Sequence, residues 1–300
     1  MVSERVLQKI NEVKKQQSER LDLSYQELTQ IPDIVLELTS LTNLYLSGNQ
    51  LTNIPESITK LTNLTNLSFG NNQLTNIPEF ISELTNLTTI YLTGNQLTNI
   101  PESIDKLTSL TSLRLGKNQL TNIPEFIAKL TSLTRLDLYG NRLTNIPESI
   151  TKLTSLTTIY LDGNQIKKIP SWLAEKKLEI EIEDENRVDC INLSGNPIEE
   201  PPLEIVKQGN QATLNYYSQL VTQGQDYLYE AKMLIVGEGG AGKTTLAHKI
   251  QDNNCPLPKI DDRTKGITIN NYLFSVKAKN ENKNRPFQLN IWDFGGQEIY

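Results

Sequence analysis

Histidine is almost missing from these 300 residues: His248 stands alone. A single imidazole removes most histidine-based acid–base catalysis and most histidine metal sites from consideration. Cysteine is nearly as scarce. Cys190 and Cys255 lie far apart with no CxxC pair, which excludes a disulfide framework and a zinc ribbon. No run of 18 apolar residues occurs, and the N-terminal MVSERVLQKINEVKKQQ has no apolar core of signal-peptide length. Basic charge is also in deficit, with 29 Lys and Arg against 35 Asp and Glu, a formal net charge of −6. That balance argues against a broad face for nucleic acid or anionic lipid and favours protein or small anionic ligands. The expectation is a soluble cytoplasmic protein of roughly two domains, at about 100 to 200 residues each.

What the chain has in abundance is a repeat. Asparagines 49, 72, 95, 118, 141 and 164 follow one another at a single fixed interval, each in a frame such as LTNLYLSGNQLTNIP. This is the leucine-rich repeat pattern L-x-x-L-x-L-x-x-N-x-L. An earlier copy, LDLSYQELTQIP, has Gln26 at the asparagine position. A later one, INLSGNPIEEPP, has Asn196, further from Asn164 than the fixed interval allows. The extra length falls in or near the charged segment EKKLEIEIEDENRVDC. Eight repeats end in a proline, from Pro32 to Pro202. One repeat carries too few apolar side chains to offset the entropy of ordering its backbone, so the units must stack, aligning short strands into a parallel sheet. The asparagine amides, with two donors and an acceptor, are expected to satisfy turn backbone groups.

The pattern divides the chain. Residues 1–18, with Val6, Leu7, Ile10 and Val13 at helical spacing, read as a capping helix. Residues 19–207 form the solenoid of eight repeats, 208–230 a linker helix ending near Gly224, and 231–300 a second domain. The non-leucine strand positions of the solenoid point outward on its concave face. Among them Tyr45, Tyr91, Arg114, Arg135, Asp137, Tyr139 and Tyr160 are the residues expected to meet a protein partner.

The second domain opens with LIVGEGGAGKTTLAHK, a glycine-rich loop between a strand of the buried parallel type and a helix. Gly237, Gly239 and Gly242 satisfy GxGxxG, but the acids about 20 residues on follow NNCPLPKI, whose prolines argue against the strand that a dinucleotide fold needs. A kinase reading fails despite DFG at 293–295, because the only histidine lies in HKI rather than in an HRD-type loop. The full match is G-x-x-x-x-G-K-T, from Gly237 to Thr244. Backbone N–H groups along Gly237, Glu238, Gly239, Gly240, Ala241, Gly242, Lys243, Thr244 and Thr245 are placed to cradle phosphates at a helix N-terminus. Lys243 would reach the β and γ oxygens and Thr244 would hold Mg²⁺. Downstream, FQLNIWDFGGQEIY is an alternating strand ending in D-x-x-G-Q. In that motif Asp293 would hold Mg²⁺ through water, Gly296 would meet the γ-phosphate and Gln297 would orient the attacking water. Between the motifs, Thr264 in RTKGITI could close over Mg²⁺. Loop, threonine and DxxGQ come in the order of Ras-like GTPases.

Taken together, LSGNPIEEPPLEI, MLIVGEGGAGKTTL, TKGITI and IWDFGGQE resemble the Roco family, in which leucine-rich repeats precede a Ras-like domain called Roc. The resemblance covers essentially the whole chain. It implies an α/β fold, a solenoid followed by part of a P-loop Ras-like domain, with GTP or GDP and Mg²⁺ as ligands. Family members continue into a dimerisation domain called COR, and some then carry a kinase; neither lies within these residues. The guanine-reading N-K-x-D motif of the family would fall beyond Tyr300. The expectation is therefore a fragment, its solenoid folded, its nucleotide site weak or silent, and the complete protein a homodimeric GTP-hydrolysing switch. Two alternatives stay open: a pure protein-binding module with an inert nucleotide loop, and an ATP-using switch of the immune-receptor type, whose acidic strand usually ends in consecutive acids where this chain has DFGGQ.

Overall fold

The computed structural model describes residues 3–183, 189–223, 230–235, 243–252, 254, 267–277 and 284–294. The chain divides into two compact units, Met1–Thr222 and Gln223–Tyr300.

The first unit is a solenoid built on a nine-stranded parallel sheet. Its strands are β1 (Arg20–Asp22), β2 (Asn43–Tyr45), β3 (Asn66–Ser68), β4 (Thr89–Tyr91), β5 (Ser112–Arg114), β6 (Arg135–Asp137), β7 (Thr158–Tyr160), β8 (Glu179–Glu181) and β9 (Cys190–Asn192). From β1 to β7 each strand pairs with the next at the spacing of one repeat, as in Leu44 against Leu67 and Leu113 against Leu136. The middle residue of each three-residue strand is buried, Leu21, Leu44, Leu67, Ile90, Leu113, Leu136 and Ile159 among them, so the apolar rows run the length of one core.

Each of the eight prolines stands immediately before a helical turn on the opposite side. Six of these turns are five-residue 3-10 helices, beginning with Asp33–Glu37 and ending with Glu148–Lys152. The last two are single α turns, α2 (Ser171–Ala174) and α3 (Leu203–Val206). Proline suits the site because its ring presets φ and its missing N–H is not needed there.

The repeat asparagines are buried, and each bridges two neighbouring repeats. Asn72 donates through Nδ2 to Leu46 O (3.0 Å) and Phe69 O (2.9 Å) and accepts at Oδ1 from Leu51 N (3.0 Å). The same set recurs down to the half-buried Asn196, which binds Leu161 O, Leu193 O and Ile166 N. A second ladder is made of threonines: the hydroxyls of Thr65, Thr88, Thr111, Thr134 and Thr157 each donate to the carbonyl of the equivalent threonine one repeat before, at 3.0 to 3.2 Å.

The turn after each strand passes through the left-handed region. Gly48, Gly94, Gly140, Gly163 and Gly195 occupy it at φ between 62 and 73°. At the equivalent place in three repeats Tyr25, Asn71 and Lys117 adopt φ of 57, 51 and 48°, a conformation that glycine takes without strain and a long side chain does not.

The ends of the solenoid are closed differently. At the start, α1 (Glu4–Gln16) is capped by Ser3, whose Oγ accepts from Val6 N, and it buries Val6 and Ile10 in the core while Leu7 stays 39% exposed. At the far end the strand order is β7-β9-β8. The charged segment that interrupts the period therefore contributes a strand of its own, which the periodic pattern did not anticipate. β8 lies outermost, and Ile180 N donates to Asn210 Oδ1 (3.1 Å) while Asn210 Nδ2 donates to Leu178 O (2.8 Å). Asn210 begins α4 (Asn210–Gln223), so the helix supplies one more rung of asparagine type to the last strand. Gly224, the expected end of this helix, lies outside the described residues. Leu214 of α4 packs on the core, the Tyr217 hydroxyl donates to the Ile169 carbonyl, and the Lys168 ammonium lies 5.8 Å from the Tyr217 ring centre.

In the second unit, β10 (Glu230–Ile235), β11 (Ile267–Lys277) and β12 (Asn284–Phe294) form a sheet in the order β10-β12-β11. β10 runs parallel to β12, and β11 pairs antiparallel with β12. The helix α5 (Lys243–Gln251) packs on the sheet through Ala247, which joins Ile235, Tyr272 and Ile291 in a small core flanked by Leu289. The Tyr272 hydroxyl donates to Ala247 O at 3.0 Å. The sequence pattern reads β10 as a buried strand, but Met233 is 38% and Leu234 59% exposed. β10 is an edge of this sheet, and among the described residues Ile235 is the β10 side chain that joins the core with Ala247 of α5.

Candidate functional site

Two regions carry the residues singled out by the sequence, one in each unit. The strand that leads to the glycine loop and the strand that carries Asp293 end side by side in the small sheet. In the parallel register of β10 and β12, Ile235 stands opposite Asp293, and on the other side of β12 Thr268 stands opposite Asp293. The glycine loop begins after Ile235, and α5 starts at Lys243, followed by Thr244 and Thr245. The backbone of Asp293 and the strand that leads into the loop thus share the carboxyl ends of two parallel strands, the edge at which α/β sheets bind ligands. Lys243, although charged, is only 8% exposed. Gly237, Glu238, Gly239, Gly240, Ala241, Gly242, Thr264, Gly296 and Gln297 lie outside the described residues.

On the solenoid, two rows of side chains stand side by side on the concave face. One row, set by the strand register, is Tyr45, Ser68, Tyr91, Arg114, Asp137 and Tyr160; the other is Asn43, Asn66, Thr89, Ser112, Arg135 and Thr158. On β2 and β3 the rows are neutral and bonded among themselves, as in Asn66 Nδ2 to Asn43 Oδ1 (2.8 Å) and Ser47 Oγ to Ser68 Oγ (2.6 Å), while β1 continues them with Arg20 and Asp22, the Arg20 guanidinium 4.7 Å from the Tyr45 ring centre.

Toward β7 the face becomes charged and aromatic. The Arg135 guanidinium lies 4.6 Å from the Tyr160 ring centre, that of Arg114 5.8 Å from Tyr91, and the Lys117 ammonium 5.7 Å from Tyr139. Tyr139 lies across Gly116, where an added Cβ would collide with the ring, so glycine is required for the ring to lie flat. Lys117, Arg135, Asp137, Tyr139, Tyr160 and Asp162 line an open cleft of ≈ 540 Å³.

The outward strand positions differ in how far they are covered. Asp137 (7%), Thr158 (4%) and Tyr160 (8%) are buried, whereas Tyr45, Tyr91, Arg114, Arg135 and Tyr139 are half-buried. Long side chains at adjacent repeats cover one another across the closely spaced strands of the sheet. Burial raises the Asp137 carboxyl above the ordinary range, against the opposing pull of the Tyr139 N–H bond, Arg135 and Arg114. Tyr139 is likewise raised, first by burial and then by Asp137, Tyr91 and Asp162. Lys117 was not among the partner residues expected from sequence. Its signal was there, since it replaces the glycine of other repeats at a turn.

The leucine-rich repeat family model matches residues 18–74, 39–97, 62–120 and 108–166, and the model for the Roc domain, "Ras of Complex, Roc, domain of DAPkinase", matches residues 232–300. Two curated relatives are each described as a Roc-COR-CHAT protease. One, from an unknown prokaryotic organism, is 37% identical over 124 residues, 38% of this chain and 12% of the relative. The other, from Runella zeae, is 42% identical over 79 residues, 25% of this chain and 8% of the relative. The chain thus spans about a tenth of the length of these relatives. Among solved structures, an internalin from Listeria monocytogenes aligns with a TM-score of 0.52 at 28% identity, covering 61% of this chain and 74% of the internalin. Among the described residues, no helix is long and apolar enough to cross a membrane.

Proposed function

From the premise that this chain has the Roco arrangement, leucine-rich repeats followed by a Roc domain, we propose that it is a cytoplasmic GTP-binding regulatory switch joined to a protein-interaction scaffold. The observation that carries the reading is the convergence at one sheet end: Asp293 in register with Ile235, where the G-x-x-x-x-G-K-T loop begins, and a buried lysine opening the helix that follows. A helix N-terminus of this kind favours phosphate through its free N–H groups and its dipole.

In this reading the backbone of residues 237–245 holds the phosphates, and the Lys243 ammonium neutralises the β and γ oxygens. The donor set fits Mg²⁺, a hard cation that takes oxygen ligands: Thr244 offers a hydroxyl and Asp293 a carboxylate, and Thr264 would add a second hydroxyl. When bound, the ion supplies positive charge to the phosphate oxygens during transfer. Gln297 orients the attacking water, and the segments around Thr264 and Gln297 order when the γ-phosphate is in place. GTP hydrolysis resets the switch, and the assembled protein acts as a homodimer.

The test is binding of a fluorescent guanine nucleotide, at millimolar Mg²⁺, to the natural polypeptide that carries this sequence. Saturable binding that GDP displaces and ADP does not, weakened about tenfold or more in Lys243→Ala, is the expected result. Displacement by ADP as effective as by GDP, or unaltered binding by Lys243→Ala, would refute it. The pure interaction-module reading draws on the solenoid's cleft and predicts the opposite outcome, no nucleotide uptake at all.

A further inference from the structure

The charged end of the concave face carries three cations against two acids. Chain-wide the net charge is −6, yet Lys117 and Arg135 balance Asp137 and Asp162 in the lining of the cleft, and Arg114, in register with Asp137 on the neighbouring strand, adds a third cation beside it. The Nε atoms of Arg114 and Arg135 are buried without a hydrogen-bond partner, and so are the hydroxyls of Ser112 and Thr93. None of the three cations belongs to an ion pair among the described residues, although Lys129, Lys167, Lys168 and Lys207 elsewhere on the solenoid all do. Arg135 lies over the Tyr160 ring, two residues before Asp137 on the same strand. A guanidinium fixed in this way has lost most of its rotamer freedom before any ligand arrives, so little entropy opposes contact. Arg114 and Arg135 are half-buried, and a carboxylate meeting the exposed part of either guanidinium would make charge-assisted bonds there.

We propose that the cleft between β5 and β7 is the recognition site for an acidic segment of a protein partner, with its carboxylates received by Arg114, Lys117 and Arg135 and its backbone or apolar groups laid against Tyr91, Tyr139 and Tyr160. The inference rests on reading the solenoid as a protein-binding scaffold and names the chemistry of what it binds. The neutral rows near β2 and β3 have their polar groups bonded to each other and offer no comparable surplus.

The probe is a library of random peptides displayed on phage and selected on the intact chain. Selected peptides should be enriched in Asp and Glu, and should bind about tenfold or more weakly to Arg135→Gln and to Arg114→Gln. Asp162→Asn, which removes an opposing charge from the cleft, should bind them more tightly. Each variant's unfolding midpoint is measured alongside, and Arg135→Lys serves if Arg135→Gln is unstable: it keeps the charge but not the planar donor, and should bind at an intermediate level. Peptides without acidic enrichment, acidic peptides indifferent to both arginine substitutions, or no selected peptides overturn the proposal. Non-acidic peptides lost on Tyr91→Ala would overturn it while leaving the scaffold reading intact.

Discussion

Asn118→Ala tests the principle on which the solenoid stands, that one amide serves two repeats at once. Asn118 Oδ1 accepts from Leu97 N (3.0 Å), and Nδ2 donates to Leu92 O (3.1 Å) and Leu115 O (3.0 Å), with Gly116 O (3.1 Å) sharing one of its two hydrogens. Both carbonyls have another donor: Leu92 O also receives Asn95, and Leu115 O also receives Asn141. Leu97 N has Asn118 alone. Truncation therefore orphans one buried N–H, at about 1 to 3 kcal/mol, and removes one of two bonds from each carbonyl, at about 1 kcal/mol apiece. The expected loss is about 3 to 5 kcal/mol, read as a shift of the urea midpoint in circular dichroism. Asn63→Ala is the control. Its amide donates to Thr39 O (2.9 Å) at an exposed site, so its loss should be about 1 kcal/mol or less. Asn118→Asp adds a sign. The acceptor for Leu97 N survives, but a carboxylate faces two carbonyl oxygens and its folded pKa must rise. The native state then binds more protons than the unfolded chain, so the variant regains stability as pH falls. Equal losses for Asn118→Ala and Asn63→Ala, or an Asn118→Asp variant that gains stability with rising pH, would refute the shared-amide account.

Gly163→Ala should cost about 1 to 2 kcal/mol: the added Cβ would find its nearest atoms 3.7 Å away, so strain at φ +62° remains as the cause, and thermal unfolding measures it. Tyr217→Phe should weaken the docking of α4 by about 1 kcal/mol and remove a pH effect. Burial, then Glu200 and Tyr216, raises the Tyr217 phenol above its ordinary 10.0, so the unfolded chain ionises first and stability is lost as pH climbs beyond that value. Near-ultraviolet phenolate absorbance with parallel unfolding curves checks this; an unchanged alkaline loss in Tyr217→Phe would refute it. Thr111→Val removes one rung of the hydroxyl ladder, Thr111 Oγ1 to Thr88 O at 3.1 Å, and should cost about 1 kcal/mol at unchanged shape, measured by the same unfolding curves.

The fixed repeat period, the row of asparagines and the place of the strands were legible in the sequence because every repeat solves the same local problem with the same residues. The order of loop, helix and Asp293 strand was legible for a like reason, since a phosphate loop needs glycines and a lysine at set spacing. Tertiary structure alone decided what depends on neighbours. It placed β8 outside β9, because the aperiodic segment could bury Ile180 only at the open end, where Asn210 completes its bonds. It buried Asp137 and Tyr160 on a face that the alternation marks as outward, because side chains from adjacent repeats crowd the same concave surface. It put Ile235 and Asp293 side by side although a helix and another strand come between them in the chain, since strand register is a property of the sheet and not of either strand. A repeating sequence specifies its own unit; contacts between units, and above all at the place where repetition stops, belong to the folded molecule.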